Sequence, residues 1–226
     1  TSQDIQVDLQ QPLIIDSILI WTKNQWEKVS FKREDNIALV HHQKNIPLQE
    51  DFSLWIFYHG KPREAIRPPW DGGWIWRKDM NGKQWVSVAC QGLGASVWYP
   101  CKDHQSDEPD FGAALNINRP DGLKGIGNGR PGRSDQNNWS RWVVRNPINN
   151  YNIIPYIGDY VSWQETYKGL KGNLDLSYYV LREDSAKAVA QFKEVPKMLE
   201  AFEYWMGPYP FYEDGYKLVE SHHLGM

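Results

Sequence analysis

The sequence predicts a mainly β protein, with a β-rich domain over residues 1–182 and a short α/β segment over residues 183–226. Three observations favour this fold class. Short apolar or alternating runs recur between turns rich in Gly, Pro and Asp. The chain contains 12 Trp and 12 Tyr, and aromatic residues favour strands. From residue 184 the apolar residues recur at intervals of three and four, as in a helix. Many strands followed by a helix and a strand indicate a β domain joined to the start of another domain.

The strand candidates follow one another along most of the chain. Residues 52–58 alternate with a period of two and are bulky on both faces, which indicates a strand covered on both sides. Asn81-Gly82 separates two strand-like runs and predicts a hairpin. The candidates are residues 13–20, 26–31, 37–41, 52–58, 74–78, 83–89, 113–118, 139–145, 151–157, 160–166 and 174–181.

A helix is predicted from Asp184 or Ser185, either of which can cap its start. Pro196 lies inside the helical pattern and predicts a kink or two abutting helices, because proline lacks the backbone donor. Gly207-Pro208 ends the pattern, and residues 217–220 form a last strand candidate. The apolar stripe of the helix is expected to bury against protein that lies beyond this chain. The stripe comprises Ala188, Phe192, Val195, Leu199 and Phe202.

Charge and cysteine content narrow the function classes. The 226 residues carry 25 basic and 28 acidic side chains, a net charge of −3. This balance gives no electrostatic footprint for nucleic acid or an anionic membrane. No apolar run reaches the length of a membrane span, so no membrane-spanning segment is predicted. Cys90 and Cys101 are too few for a disulfide framework and are predicted to be free thiols, which leaves the compartment open.

Motifs for catalysis or metal binding are absent from the sequence. Neither H-E-x-x-H nor G-x-S-x-G occurs, so the helix motif of zinc peptidases and the nucleophile elbow are both unsupported. His222-His223 is an adjacent pair, and neighbours on a strand point to opposite faces. The glycines at 125, 127 and 129 lack the Lys and the helix of a phosphate loop. A carboxylate pair for glycoside hydrolysis stays open in a turn-like stretch, although Asp is common in turns for structural reasons. The acids of that stretch are Asp103, Asp107, Glu108 and Asp110.

Three stretches resemble aminopeptidase N-like zinc metallopeptidases. Residues 90–103, CQGLGASVWYPCKD, are similar to a segment of the family's N-terminal domain that ends in aromatic-Pro-Cys-x-Asp. Residues 201–211, AFEYWMGPYPF, look like the signature that opens its catalytic domain, and residues 218–226, LVESHHLGM, look like the strand that carries the exopeptidase motif. The resemblance covers about residues 5–226. The resemblance implies two differences at the ends: the family's first hairpins are expected to be missing, and the motif glutamate and the zinc helix are expected to follow position 226.

The resemblance implies a saddle-shaped, mostly antiparallel, β-sandwich-like domain over residues 1–182. Residues 183–226 would begin a thermolysin-like catalytic domain and leave it incomplete. The family's zinc lies in that domain, held by two His and a Glu. The chain alone is therefore expected to hold no cofactor and no catalytic or metal-binding residue, whereas the full-length enzyme is expected to bind zinc. The implied partners are a peptide substrate and the missing catalytic domain.

The resemblance also implies substrate-binding residues. Gln91 matches the side chain that the N-terminal domain lends to recognition of the substrate's free α-amino group. The backbone of Leu224, Gly225 and Met226 matches the strand that lies along the bound peptide, where an extended edge can add the substrate as a further strand. The alternatives are that Gln91 caps a strand or bonds a backbone group, and that residues 224–226 form a buried strand.

Two other functions stay open on the sequence. An aromatic-rich β-sandwich can be a carbohydrate- or protein-binding module, and the WDGGWIW run at residues 70–76 suits that role. A purely structural β-sandwich is the third interpretation. The residues that follow position 226 discriminate between them, because a Glu there and an H-E-x-x-H some tens of residues later would favour the peptidase.

Overall fold

A computed structural model describes residues 4–22, 24–41, 52–134 and 136–223. Contacts divide the chain into two compact units. The first unit comprises Thr1–Trp74, Val88–Asp107 and Asn150–Asn152, and the second comprises Ile75–Ser87, Glu108–Asn149 and Ile153–Met226. The domain boundary at residues 182 and 183 stays a prediction.

The described strands are numbered in chain order. Strands β1 to β8 are Asp4–Asp8, Ile14–Thr22, Gln25–Glu34, Ile37–His41, Ser53–His59, Gly73–Lys78, Gln84–Ala89 and Ala113–Asn118. Strands β9 to β15 are Lys124–Ile126, Arg130–Gly132, Trp139–Val144, Tyr156–Gly158, Tyr160–Gly169, Gly172–Leu181 and Tyr216–Val219. Helices α1 and α2 are Ser185–Gln191 and Val195–Met206. The predicted mainly β fold is confirmed.

The first unit is built on an antiparallel sheet with the strand order β1-β4-β3-β2-β5. Alternation along the strands sends one set of apolar side chains to a single face, as a period of two requires. Ile15, Ile18, Val40 and their neighbours are buried there, and Leu54, Ile56 and Tyr58 of β5 pack against them.

The opposite face of this sheet carries exposed aromatic rings. Trp26 lies 5.2 Å from Trp21 and 4.4 Å from Trp55 between ring centroids, and Trp55 lies 6.3 Å from Phe57. Trp55 is 52% exposed and Phe57 47%. The expectation that both faces of residues 52–58 are covered is therefore wrong within the described residues, because the outer rings cover one another only in part.

The remaining described strands form sheets in the orders β10-β11-β8, β6-β7-β12-β9 and β13-β14-β15. The hairpin predicted at Asn81-Gly82 joins β6 and β7, with the backbone N–H of Asp79 bonded to the carbonyl of Lys83 at 2.9 Å. Strand β15 pairs parallel to β14. The connection between them runs through α1 and α2, since parallel neighbours need a long crossover.

The helical segment is divided into two helices, as the position of Pro196 in the sequence predicted. A 3₁₀ turn, Phe192–Glu194, separates α1 from α2, and Pro196 lies in the first turn of α2, where its missing donor costs least. Val195 and Leu199 are buried with Leu174 and Leu176 of β14. Part of the apolar stripe thus packs on the chain's own sheet, contrary to the expectation that it awaits other protein. Phe202, which the pattern places in the same stripe, stays 50% exposed.

One predicted strand is wrong in most of its length. Residues 151–157 were expected to be extended, but Asn150–Asn152 is a 3₁₀ turn and β12 covers only Tyr156–Gly158. The reason is tertiary, because the buried side chain of Asn150 bonds to distant groups that fix the turn. Among the described residues, no helix is long and apolar enough to cross a membrane.

Candidate functional site

Gln91 lies in a tight turn, residues 90–94, directly after β7. The carbonyl of Cys90 accepts bonds from the backbone N–H of Leu93 at 3.1 Å and of Gly94 at 2.8 Å. Gly92 and Gly94 have φ angles of 71° and 87°, a region that glycine enters at little cost. The turn leaves the Gln91 side chain half-buried at the surface of the first unit.

Asp103 fixes the far side of this turn. Its carboxylate accepts bonds from the backbone N–H groups of Ala95 at 3.1 Å and Ser96 at 3.0 Å. A Cβ atom on Gly94 would overlap the same carboxylate. The Asp of the aromatic-Pro-Cys-x-Asp segment therefore has a structural role, which agrees with its interpretation as a turn residue.

The side chain of Gln91 is bonded to a residue far away in the sequence. The hydroxyl of Tyr151 donates to Oε1 of Gln91 at 2.8 Å. Burial, with a smaller contribution from Cys90, raises the pKa of Tyr151, so the phenol stays protonated and keeps its donor. An amide oxygen accepts two bonds, so Oε1 can accept a further bond besides that from Tyr151. This bond is to a side chain, and the role of Gln91 in substrate binding stays a prediction.

Tyr151 is held in place by its neighbour Asn150, which is 6% exposed. The amide Nδ2 of Asn150 donates to the carbonyl of Lys102 at 3.0 Å and to Asp107 at 3.1 Å. The hydroxyl of Tyr99 donates to the carbonyl of Asn150 at 3.2 Å. The residues that brace Tyr151 thus lie in the 99–107 segment, which also contains the Asp that fixes the Gln91 turn.

The sequence did not single out Tyr151. It lies 60 positions from Gln91, in a segment predicted to be a strand, and no local pattern marks such a pairing. Nor did the sequence distinguish Asn150, whose burial depends on the fold. The contacts that distinguish both residues exist only in the folded chain.

The other predicted site residues, Leu224, Gly225 and Met226, lie outside the described residues. The chain approaches them through β15. His222 bonds the carbonyl of Lys78 at 2.8 Å through Nε2, and His223 bonds the hydroxyl of Ser221 at 2.8 Å through Nδ1. The two adjacent histidines therefore have separate partners.

Residues 4–22, 24–41, 52–134 and 136–223 contain no group of three or more His, Cys, Asp or Glu side chains that could hold a metal ion. The resemblance implies that the zinc is held by residues beyond position 226, and that expectation stays a prediction. The cysteines also lack the character of nucleophiles. Cys90 and Cys101 are free, and burial, followed by the nearby Asp103, raises the pKa of Cys90 to about 12. A protonated thiol is a poor nucleophile.

The glycines at 125, 127 and 129 have a structural role. Lys217 donates to the carbonyls of Gly127 at 2.6 Å and Gly129 at 2.5 Å, and its ammonium lies 3.7 Å from the ring centroid of Trp142. A phosphate loop presents backbone N–H groups, whereas this segment presents carbonyls to a cation. The exclusion of a phosphate site made from the sequence agrees with this geometry.

The chain matches no protein-family model and no curated protein. It is similar to solved structures. The M1 zinc metallopeptidase of Deinococcus radiodurans aligns with 99% of this chain and 49% of its own, at 17% identity and a TM-score of 0.76. A mutant of that enzyme bound to a Tyr-Ser-Ala substrate aligns with 96% of this chain and 48% of its own, at 18% identity and a TM-score of 0.75. Leukotriene A4 hydrolase from Saccharomyces cerevisiae aligns with 100% and 33%, at 20% identity and a TM-score of 0.73.

These matches concern the fold, since every identity is low. The chain spans between about a third and a half of the length of the solved structures it matches. The resemblance to aminopeptidase N-like zinc metallopeptidases is confirmed at that level. The chain shares its fold with the part of the Deinococcus radiodurans M1 zinc metallopeptidase that aligns with it, which is 49% of that enzyme's chain.

Proposed function

We propose that this chain is the substrate-side part of a zinc-dependent aminopeptidase that removes N-terminal residues from peptides. The observation that carries the proposal is the fold match over 96–100% of the chain to M1 zinc metallopeptidases and leukotriene A4 hydrolase. The order of the three motif stretches supports it independently. In this proposal residues 183–226 begin the catalytic domain, and the chain alone does not hydrolyse peptides.

Gln91 is proposed to bind the substrate's α-amino group. A free amino terminus is protonated near neutral pH, and an amide oxygen accepts a hydrogen bond from it. An internal peptide bond lacks that charge and leaves the acceptor unpaired, so such a contact favours exopeptidase cleavage. The half-buried position of Gln91 and the further acceptor capacity of Oε1 support this role. The backbone of residues 224–226 is proposed to lie along the peptide.

Zinc in the full-length enzyme would polarise the scissile carbonyl and activate a water molecule. The role proposed for this chain is to bind and orient the peptide, with the zinc held by the rest of the catalytic domain.

The test is an assay of the full-length protein on an amino-acid arylamide and on its N-acetylated counterpart. Hydrolysis of the free-amine substrate, loss of that hydrolysis with a chelator and rejection of the acetylated substrate are expected. Equal cleavage of both substrates would contradict recognition of the amino group, and no cleavage of either would contradict the proposed activity.

The exposed aromatic face of the first unit favours a second candidate function, a protein-binding module. Trp26 and Trp55 pack with ring centroids 4.4 Å apart and planes tilted by 31°, so each covers part of the other's ring face. A sugar platform needs ring faces turned to solvent, whereas a contiguous apolar patch suits contact with another protein. The test applies if the full-length protein shows no peptidase activity and co-purifies with a partner protein. Loss of that partner from a Trp55→Ser variant would then favour this function over the peptidase.

A further inference from the structure

The hydrogen bond between Tyr151 and Gln91 joins two side chains whose backbone segments are each fixed by other hydrogen bonds. Gln91 sits on the turn that Asp103 fixes, and Tyr151 follows Asn150, whose buried amide holds the 3₁₀ turn. The bond itself spans 2.8 Å, a normal length for a hydroxyl donor. The fold therefore brings the phenol to the amide oxygen without requiring either backbone to move.

A glutamine side chain is flexible, and a ligand that binds it must first fix its rotamer. Ordering one such side chain reduces affinity by about 2- to 10-fold. A donor that already holds the amide oxygen removes that cost before the ligand arrives. It also fixes the orientation of the amide, because Oε1 is held beside the phenol and keeps its second lone pair for a further donor.

We propose that Tyr151 is a positioning residue that orients Oε1 of Gln91 toward the α-ammonium group of the substrate; this rests on the function proposed above. Tyr151 acts through Gln91. Its hydroxyl fixes the acceptor, and Gln91 makes the contact with the substrate.

Steady-state kinetics of a Tyr151→Phe variant of the full-length protein test the proposal. The variant removes the hydroxyl and keeps the ring, so folding is preserved. KM for a free-amine arylamide should rise about 2- to 10-fold with kcat unchanged, because contact with the ammonium is present in both the ground state and the transition state. The matched control is Tyr58→Phe, whose hydroxyl donates to the carbonyl of Trp98 at 3.0 Å in the same unit and which should leave KM unchanged.

A second readout separates positioning from a general structural effect. Binding of a competitive inhibitor that lacks the α-amino group should be equal in the wild type and Tyr151→Phe, since this inhibitor makes no contact with Gln91. In a Gln91→Ala background, Tyr151→Phe should have no further effect on KM, as expected for residues that act as one unit.

The outcomes separate the two proposals. If Gln91→Ala weakens substrate binding but Tyr151→Phe does not, the positioning role is wrong and the proposed function stands. If the two substitutions are additive, or if the des-amino inhibitor is weakened as much as the substrate, Tyr151 does not act through Gln91. If Gln91→Ala has no effect, the recognition role of Gln91 fails, and the positioning role fails with it.

Discussion

Gln91 is a single side chain whose proposed function depends on one oxygen atom. Hydrogen bonds to charged groups contribute about 1.5–3 kcal/mol. Gln91→Ala in the full-length enzyme should therefore lower kcat/KM for an amino-acid arylamide by about 10- to 150-fold. Zinc content and stability should stay unchanged, because the side chain is half-buried at the surface.

The matched variant is Gln91→Glu. A carboxylate can still accept the bond from Tyr151 and pairs with the substrate ammonium, so activity should be kept. Full activity of Gln91→Ala in the same assay would show that the amino group is recognised elsewhere.

Gln91 and Tyr151 also show what the sequence can predict. Strand 37–41 and the hairpin at Asn81-Gly82 follow from local pattern and turn chemistry, and both are observed. Gln91 was proposed as a site residue because it lies in a recognisable motif. Tyr151 was not proposed from the sequence, because its bond to Gln91 spans 60 positions and leaves no periodic signal. The β-forming residues around it were overridden by the buried bonds of Asn150.

At the scale of secondary-structure elements, Glu203 of α2 connects three segments. It is 5% exposed and accepts bonds from the hydroxyl of Tyr167 at 3.0 Å, the backbone N–H of Leu170 at 3.0 Å and the hydroxyl of Tyr212 at 3.1 Å. The acid thus joins α2, the β13–β14 turn and the loop that follows Gly207.

Glu203→Gln should destabilise the chain by about 2–3 kcal/mol. The new NH₂ group would face donors whose hydrogen bonds the carboxylate accepts, and an NH₂ group cannot accept them. The control is Glu200→Gln, an exposed position on the same helix, which should change stability by less than about 0.5 kcal/mol. Urea midpoints at constant m-value measure both changes, and equal midpoints would show that the Glu203 contacts contribute nothing.

Asp159 connects other elements, between β12 and β13. It is 4% exposed and pairs with Arg182 at 2.9 Å and Lys83 at 2.6 Å. Hydrogen bonds from Arg182 and then Lys83 hold the pKa of Asp159 well below its usual range. A lowered folded-state pKa means that folding favours the ionised form, so its contribution is complete above the unfolded-state pKa of about 4 and is lost as pH falls further.

Asp159→Asn should therefore cost about 1.5–3 kcal/mol at pH 7 and clearly less at pH 3. Urea unfolding of both proteins at the two pH values measures the difference. Asp121→Asn, at an exposed turn position, should show neither effect. A cost that is the same at both pH values would mean that the charge of Asp159 is not what stabilises the fold.

At the scale of the whole molecule, the chain is proposed to bind and orient a peptide without supplying the metal. The isolated 226-residue chain should hold no stoichiometric zinc after dialysis and cleave no amino-acid arylamide. The full-length protein should hold one zinc per chain and cleave the arylamide. Metal analysis and the assay on both proteins check this, and one tightly bound zinc in the isolated chain would contradict it.

The Gln91 turn has a consequence for directed evolution. Position 94 tolerates no side chain, since any Cβ meets Asp103, whereas a Cβ at position 92 meets nothing within 4 Å. Leu93 is packed against Gly72, where an added Cβ would come within 2.8 Å of it. Position 92 also resists substitution, because its φ of 71° favours glycine, so the turn that follows Gln91 is constrained at all three positions. A library that randomises codon 91 alone changes the side chain proposed to bind the α-amino group and leaves the turn-forming residues 92–94 as they are.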